Sequence, residues 1–222
     1  MDQGKADIDW REGRIPVSRR FDDPYFSLDN GLEETRHVFH AGNLLPERFR
    51  DGFHIAELGF GTGLNLLATV QAWGQREGQL LFTSFEAFPM SADEMAQALA
   101  AFPELAPLVP GLLSGWRPEG GSWEVAPGVT LRLVAGDARV TLPQWEGRAD
   151  AWFLDGFSPA KNPELWEPSL IAEVARHTAP GGTAASYTAA GHVRRALAEA
   201  GFTVERIPGF GRKRHMTRAR MA

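Results

Sequence analysis

The sequence predicts an α/β fold in which helices cover both faces of a mostly parallel β-sheet and one antiparallel strand lies near the C-terminus. Short apolar runs alternate with amphipathic stretches along the chain, and glycine and proline residues separate them. No internal repeat is visible in this alternation. The chain has 222 residues, of which 43% are hydrophobic, so it is long enough to bury one sizeable core.

The first predicted unit is a strand, a turn and a helix. Residues 54–58 form a short apolar run that ends in glycines, and residues 62–73 carry apolar side chains at helical spacing. A second apolar run over 80–85 predicts the next strand. Ser91 is followed by two acidic residues, a pattern that favours the start of a helix through residue 101.

The middle of the chain continues the same rhythm. Residues 125–134 are interrupted by Pro127-Gly128, which predicts either a hairpin or a bent strand. Residues 149–154 form a buried strand, and a helix is expected over 164–177. Pro180-Gly181-Gly182 should end that helix, and the next strand is expected over 183–187.

The last elements predict a different ending. A helix is expected over 189–200 and is followed by two strands, over 202–207 and 213–220. Because only the turn Gly209-Phe210-Gly211 lies between these strands, they should form an antiparallel hairpin.

Residues 1–52 do not follow the strand–helix alternation. Residues 24–27 are expected to be extended, and 32–49 to form one or two helices. We therefore predict two parts: an N-terminal extension, 1–52, that caps the active site, and a Rossmann-like domain, 53–222.

Composition excludes several classes of protein. The chain has no cysteine, which rules out disulfides and thiolate zinc sites and fits a reducing compartment. The first ten residues are polar, and no apolar run approaches the length of about 18 residues that a membrane span requires. We expect a cytoplasmic protein with no membrane partner. His37 and His40 are spaced as metal ligands on a helix, but no third ligand clusters with them, so no metal site is expected.

Charge is distributed unevenly. The net charge is −5, yet residues 194–222 carry eight basic and two acidic side chains and are therefore strongly positive. Two interpretations remain open: a basic edge that contacts phosphate, or a solvated tail that serves solubility. Within this segment, Arg212, Lys213 and Arg214 are the candidate contacts to nucleic acid.

The ends of four predicted strands carry the residues of a cofactor site. They end in Gly59-Phe60-Gly61-Thr62-Gly63, Glu86, Asp137 and Asp155. Ligands in open α/β sheets bind beyond the carboxyl ends of the strands, and glycines allow a ligand to approach the backbone closely. Glu86 is placed to accept hydrogen bonds from two ribose hydroxyls. A dinucleotide-binding domain shares these two features, so they do not identify the cofactor.

Two further acidic residues favour S-adenosylmethionine over NAD(P). Glu57 could hold the ammonium of a methionine group directly or through water, and NAD has no such ammonium. Asp137 could accept from an adenine amino group, or cap the next turn of helix, or do both. Neither Tyr25 nor Tyr187 has a lysine four residues later, as a short-chain dehydrogenase would. An NAD(P)-dependent oxidoreductase and a non-catalytic nucleotide- or RNA-binding module remain the alternatives.

Three motifs together resemble one family. They are Tyr25-Phe26-Ser27 with Asp29-Asn30-Gly31-Leu32-Glu33-Glu34-Thr35, Glu57-Leu58-Gly59-Phe60-Gly61-Thr62-Gly63-Leu64-Asn65, and Leu154-Asp155-Gly156-Phe157-Ser158-Pro159 with Lys161-Asn162-Pro163. With the terminal Gly209-Phe210-Gly211-Arg212-Lys213-Arg214, they resemble the methyltransferase half of the bifunctional tRNA wobble-uridine enzyme MnmC and its stand-alone relatives.

The resemblance implies a class I, Rossmann-like methyltransferase that uses S-adenosylmethionine. The implied reaction methylates the aminomethyl group of 5-aminomethyl-(2-thio)uridine in the tRNA anticodon loop, giving 5-methylaminomethyl-(2-thio)uridine. We expect the cofactor to be contacted by three acidic residues, Glu57, Glu86 and Asp137. The other expected contacts are Gly59, Gly61, Gly63, Asn65 and Ala138. No flavin-dependent oxidase half follows the basic segment, so we expect a separate enzyme to supply the aminomethyl intermediate.

The resemblance also implies that Asp155 lies beside the reacting amine. A primary alkylamine has a pKa near that of lysine, about 10.4, and only its neutral form attacks. An aspartate with its ordinary pKa is a poor base, so Asp155 is expected to orient the amine unless burial raises its pKa. Both roles remain open.

The remaining candidates concern the RNA. Phe157, Tyr25 and Phe26 could stack on a flipped base, whereas core or lid packing explains Phe26 equally well. Lys161 is either a phosphate contact or a solvated loop residue.

Overall fold

The computed structural model describes residues 4–27 and 30–222 of the chain. The strands in these ranges are β1 Ile8–Arg11, β2 Ile15–Ser18, β3 Asp23–Pro24, β4 Phe53–Leu58, β5 Leu80–Glu86, β6 Gly121–Ala126, β7 Val129–Ala135, β8 Ala149–Leu154, β9 Thr178–Ser186, β10 Phe202–Pro208 and β11 His215–Met221. The α-helices are α1 Gly31–Thr35, α2 Leu64–Trp73, α3 Ala92–Leu99, α4 Val109–Ser114, α5 Ala138–Thr141, α6 Pro168–Arg176 and α7 Gly191–Glu199.

The main sheet confirms the predicted fold class. Its eight strands lie in the order β10-β11-β9-β8-β4-β5-β7-β6, and the five central strands are parallel. At one edge β11 runs antiparallel to both β9 and β10, as the closing hairpin predicts. At the other edge β6 pairs antiparallel with β7, so residues 125–134 lie in a hairpin.

The strand order reverses between β4 and β8. From β4 the chain proceeds outward through β5 and β7, and it then returns to the other side of β4 to form β8 and β9. Ligands of open α/β sheets bind at such a reversal, beyond the carboxyl ends of the strands. The two segments that follow these strands are the glycine-rich loop after β4 and the loop that begins at Asp155.

The central strands are buried on both faces. Phe53 and Ile55 of β4 belong to one hydrophobic cluster, whereas Ala56 and Leu58 of the same strand belong to the cluster on the opposite face. Alternation of side chains along a strand has this result when helices cover both faces.

Two boundaries differ from the prediction. The expected helix over 164–177 is divided into a 3₁₀ helix, Pro163–Trp166, and α6, because Glu167 precedes a proline and takes an extended conformation. Pro180-Gly181-Gly182 does not end a helix but lies inside β9, where the register with β8 shifts. The helix expected from Ser91 is confirmed: Ser91 and Glu94 form a capping box at its start.

The N-terminal segment forms a small antiparallel sheet of β1, β2 and β3, followed by α1. Residues 32–49 do not form one or two regular helices. They contain the end of α1, a π-helical turn, Arg36–His40, and a 3₁₀ turn, Ala41–Asn43. The division of the chain after residue 52 stays a prediction.

Within residues 4–27 and 30–222, no helix is both long enough and apolar enough to cross a membrane.

Candidate active site

A cavity of about 1050 Å³ opens at the carboxyl ends of β4, β5, β7 and β8. The loops that follow these four strands supply one side of its wall, and residues within 20–27 and 31–35 supply another. The loop between β10 and β11 completes it with residues 210–213. The cavity therefore joins the predicted cofactor loops to the N-terminal segment and to the basic end of the chain.

The glycine loop after β4 has a backbone that other residues would not readily adopt. Gly59 and Gly61 both line the cavity and have positive φ angles of 84° and 55°. A Cβ on Gly59 would lie 3.0 Å from Gly156 Cα, and one on Gly61 would lie 3.1 Å from the Tyr25 ring. Gly63 is placed differently, because it is the N-cap of α2 and does not line the cavity. The first two glycines leave the space for a ligand, and Gly63 turns the chain into α2.

Glu86 lies in the cavity wall at the end of β5. Its carboxylate accepts hydrogen bonds from the backbone N–H of Gly61 at 3.0 Å and of Phe88 at 2.7 Å. Burial raises the pKa of Glu86, while these backbone donors oppose the rise. The two donors fix the carboxylate against the glycine loop, and its remaining lone pairs can accept further hydrogen bonds.

Asn65 joins a buried carboxylate, Glu57, and a half-buried one, Asp155. Its Nδ2 donates to Glu57 Oε1 at 2.8 Å and to Asp155 Oδ2 at 2.7 Å, and its Oδ1 accepts from the Thr35 hydroxyl at 2.8 Å. All the hydrogen-bonding capacity of the Asn65 amino group is therefore used in holding the two acids.

Glu57 does not line the cavity, and its contact with a ligand ammonium, direct or through water, stays a prediction. Its side chain is fully buried, and its second oxygen accepts from the Ser84 hydroxyl at 2.7 Å. Burial raises its pKa well above the ordinary value. Side chains alternate along β4, and that of Glu57 lies on the face that α2 covers. Its link to the cavity wall is the hydrogen bond from Asn65.

Asp155 lies at the end of β8 with its side chain in the cavity wall. Burial raises its pKa to about 7, and the hydrogen bond from Asn65 opposes the rise. A carboxyl group with such a pKa changes charge near neutral pH and can hold or accept a proton there.

Asp137 and Ala138 line the cavity at the start of α5. The Asp137 carboxylate caps this helix by accepting from the backbone N–H of Arg139, and it also pairs with the Arg139 guanidinium at 2.7 Å. Hydrogen bonding to Arg139 lowers the pKa of Asp137. The capping interpretation is confirmed, whereas contact with an adenine stays a prediction.

The predicted aromatic residues come together at one side of the cavity. The Phe157 ring packs edge to face on Tyr25, with centroids 5.0 Å apart, and stacks on Phe21 at 4.7 Å. Phe26 also lines the cavity but packs against the core residue Phe102. All three predicted rings line the cavity, where a ligand could contact them, and Phe26 also packs on the core.

Only two of the four basic candidates line the cavity. Arg212 and Lys213 line the cavity, and Arg214 does not. Lys161 also lies outside the cavity wall, where its ammonium pairs with the Asp22 carboxylate at 3.0 Å and with the Asp22 carbonyl. Because Ser158 N–H also donates to Asp23, these contacts join the Asp155 loop to the N-terminal segment.

Several cavity residues were given no role in the sequence interpretation, among them Glu34, Thr35, Arg139 and Tyr187. Glu34 and Thr35 stand in one of the motifs that resemble the family, which was the available signal, although Asp29 of the same motif lies outside the described residues. Arg139 follows one predicted strand by a few residues, and Tyr187 is the last residue of another. Position at the carboxyl edge of the sheet could therefore have indicated them.

In the described ranges, no group of three or more His, Cys, Asp or Glu side chains is arranged to hold a metal ion. His40 is buried and shares a hydrogen bond with the Thr69 hydroxyl, and burial lowers its pKa to about 4. His37 contacts the Pro208 carbonyl instead.

Comparison with known proteins gives consistent results. Residues 113–222 match a family described as S-adenosyl-L-methionine-dependent methyltransferase. Over 97% of its length the chain is 47% identical to the tRNA 5-methylaminomethyl-2-thiouridine biosynthesis bifunctional protein MnmC of Ectopseudomonas mendocina, and over 95% it is 49% identical to the protein of that name from Pseudomonas aeruginosa. It covers 35% and 34% of these two proteins, and so spans about a third of their length.

A solved structure shares the fold. The crystal structure of MNMC2 from Aquifex aeolicus superposes with a TM-score of 0.78 at 28% identity. The superposition covers 97% of this chain and 70% of the other. The similarity therefore extends over the N-terminal segment as well as the main sheet.

Proposed function

We propose that this chain, which matches the S-adenosyl-L-methionine-dependent methyltransferases over residues 113–222 and is similar to MnmC proteins, methylates the aminomethyl group of 5-aminomethyl-(2-thio)uridine at the tRNA wobble position. The product is 5-methylaminomethyl-(2-thio)uridine. Cofactor use follows from the family, whereas the tRNA substrate is part of the proposal.

The half-buried carboxyl group of Asp155 is the observation that carries this proposal. It has a pKa of about 7, it is held by Asn65, and it faces a cavity whose wall contains the Phe157 and Tyr25 rings. A primary alkylamine arrives as an ammonium and must lose a proton before it can attack. A fixed carboxylate can bind the ammonium, and the aromatic rings beside it can stack on the nucleobase that carries the aminomethyl group.

The residues of the cavity fit S-adenosylmethionine. The backbone of Gly59 and Gly61 leaves room where a Cβ would clash, and the Glu86 carboxylate is fixed next to it. We assign the ribose hydroxyls to Glu86, the adenine side to Asp137 and Ala138, and the methionine end to the region of Asn65. When bound, the cofactor supplies an electrophilic methyl group.

The chain's own residues then perform three tasks. The Asp155 carboxylate binds the incoming ammonium, accepts a proton from it and directs the nitrogen lone pair. Once the Asp155 carboxyl group has passed this proton to solvent, the regenerated carboxylate would balance the positive charge of the methylated secondary amine. Asn65 keeps the Asp155 carboxylate in position by donating a hydrogen bond to it. The Asn65 side chain is itself held by the hydrogen bond that it donates to Glu57.

The RNA surface is assigned to the edge of the cavity. Phe157 and Tyr25 stack on the flipped wobble base, and Arg212 contacts anticodon-loop phosphates. A tRNA substrate places the enzyme in the cytoplasm. The aminomethyl group comes from a separate reaction that must precede this one.

Nucleoside mass spectrometry of tRNA tests the proposal in cells. In cells that lack the gene, 5-aminomethyl nucleosides should accumulate and the 5-methylaminomethyl product should be lost, and restoring the gene should reverse both changes. Restoring the gene with Asp155→Asn should not reverse them. Unchanged nucleosides in the deletion strain would contradict the proposed substrate.

A further inference from the structure

The ammonium of Lys213 lies between a carboxylate and an aromatic ring inside the cavity wall. Lys213 Nζ is 2.6 Å from Glu34 Oε1 and 4.2 Å from the centroid of the Tyr187 ring. The Glu34 side chain is only 12% exposed, and Lys213 is the one side-chain partner of its carboxylate among residues 4–27 and 30–222. This arrangement is a small alkylammonium site that the protein's own lysine fills.

The walls of this site are fixed next to Asp155. The Tyr187 hydroxyl donates to the carbonyl of Gly156, the residue after Asp155, at 2.8 Å. Glu34 precedes Thr35, whose hydroxyl donates to Asn65, and Asn65 in turn donates to Asp155. The charges of Glu34 and Lys213 also act on Asp155, raising and lowering its pKa respectively. The carboxylate, the ring and Asp155 therefore belong to one framework.

Lys213 itself is held less firmly. It comes from the exposed turn between β10 and β11, and 46% of its side chain is accessible. A buried carboxylate that lost its cation without a replacement would be costly, so an occupant of the same charge must take the place of the lysine. The end of a lysine side chain and a 5-aminomethyl group are the same chemical unit, a methylene bearing an ammonium.

We propose that Glu34 and Tyr187 form an alkylammonium subsite beside Asp155, filled by Lys213 in the free protein and by the aminomethyl group of the substrate in the complex. This inference rests on the proposed function. The subsite selects a cationic substituent at the wobble base, because an uncharged group would leave Glu34 buried without a counter-ion. The displaced Lys213 is then free to face an RNA phosphate.

Binding of two matched tRNAs tests the subsite. The tRNAs are identical except that one carries 5-aminomethyluridine and the other unmodified uridine at the wobble position, and S-adenosylhomocysteine replaces the methyl donor so that no turnover occurs. The wild-type protein should prefer the aminomethyl tRNA, and Glu34→Gln should reduce the ratio of the two Kd values by about ten-fold, since it removes a charge-assisted contact. Affinity for the unmodified tRNA should stay within about two-fold.

A neighbouring acid supplies the matched control. Glu33 lies on the same helix, its carboxylate pairs with Arg36, and it does not line the cavity. Glu33→Gln makes the same change of charge one residue away and should leave the Kd ratio unchanged. An equal loss in both variants would overturn the subsite in favour of a general charge effect.

Variants at Tyr187 test the aromatic wall independently, and they decide the matter if Glu34→Gln does not fold. Tyr187→Phe keeps the ring and should retain most of the preference, whereas Tyr187→Leu should lose about five-fold, as expected for a partly desolvated cation–π contact. Preferences that are unchanged in Glu34→Gln or Tyr187→Leu would overturn the subsite while the methyltransferase assignment stands. Failure of the wild-type protein to methylate the aminomethyl tRNA would contradict the proposed function instead.

Discussion

In the proposed reaction, Asp155 is the residue on which the chemistry depends most. Asp155→Asn is nearly isosteric and can still accept the hydrogen bond from Asn65, so fold and S-adenosylmethionine affinity should be close to normal. Methyl transfer to aminomethyl tRNA should fall by about 10² to 10⁴, the usual contribution of a positioned acid–base group. Single-turnover rates measured with saturating cofactor check this directly.

The pH dependence of that variant separates two roles of Asp155. In the wild type, the rate should rise as pH passes through about 7, where the carboxyl group ionises. If Asp155 is chiefly a base, higher pH should restore much of the rate in the Asn variant. Little recovery would favour orientation and charge balance, and full activity at neutral pH would remove Asp155 from the mechanism.

The raised pKa of Asp155 also predicts a pH-dependent stability. The folded protein binds the proton more tightly than the unfolded chain, whose aspartates titrate near 3.9, so wild-type stability should fall as pH rises from about 4 to about 7. The free energy of unfolding of Asp155→Asn relative to wild type should increase over that window by on the order of 2 to 4 kcal/mol and then level off above it.

Urea unfolding at several pH values measures this difference. A difference that does not change with pH would mean that the Asp155 carboxyl group titrates alike in the folded and unfolded states.

Glu86 predicts a loss of binding without a loss of chemistry. Glu86→Ala removes the acceptor assigned to two ribose hydroxyls, and each charge-assisted hydrogen bond contributes about 1.5 to 3 kcal/mol. Calorimetric titration with S-adenosylmethionine should show much weaker binding, whereas Glu94→Ala, at the exposed capping box of α3, should bind normally. Unchanged affinity in Glu86→Ala would show that the ribose assignment is wrong.

For single residues, the sequence predicted their position at the ends of strands better than it predicted their contacts. Gly59, Glu86 and Asp155 were expected at strand ends, and all three line one cavity. The contacts of Glu57 could not be predicted, because strand periodicity states which face a side chain takes but not that Asn65 lies between that face and the cavity. The pairing of Lys213 with Glu34 joins residues that are far apart in the chain, and no local pattern reports it.

Among the elements, the turn between β10 and β11 carries the prediction about RNA. Arg212→Gln with Arg214→Gln should weaken tRNA binding and leave cofactor affinity intact. Phosphate contacts release counterions, so the slope of log affinity against log salt should become shallower by roughly 0.7 for each contact removed. Lys213 is left unchanged here because it pairs with Glu34.

A pair of arginines away from the cavity provides the control. Arg176 and Arg218 form ion pairs with Glu173 and Glu205 and do not line the cavity. Their double replacement by glutamine changes the net charge equally and should not alter the slope. If the slope is unaltered in the Arg212 and Arg214 variant, the turn is structural and the RNA docks elsewhere.

Element type was easier to predict than element boundaries. Apolar runs such as 149–154 identify central strands because both faces of the sheet are covered, and β8 has those bounds. Proline residues caused two kinds of error in the predicted elements. The 3₁₀ helix Pro103–Leu108 and α4 were not predicted because prolines obscure their periodicity, and Pro180-Gly181-Gly182 was taken as a helix end although it lies within β9.

At the scale of the whole molecule, the topology brings distant segments to one edge. The strand order reverses between β4 and β8, the N-terminal segment packs on the Asp155 loop through Asp22 and Asp23, and the basic turn closes the far side. The strongly positive segment 194–222 therefore contributes to the cavity of an otherwise acidic protein. If the substrate is a tRNA, as proposed, its attraction to the protein would be local to the site.

The central claim is methyl transfer from S-adenosylmethionine to the primary amine of a wobble 5-aminomethyluridine. Purified protein, isotopically labelled S-adenosylmethionine and a tRNA carrying that single modification, followed by nucleoside mass spectrometry, test it most directly. We predict one labelled methyl group on the aminomethyl nitrogen, none on the unmodified tRNA, and almost none with Asp155→Asn. Label on another nucleoside, or no label on the aminomethyl tRNA while S-adenosylmethionine binds normally, would contradict it.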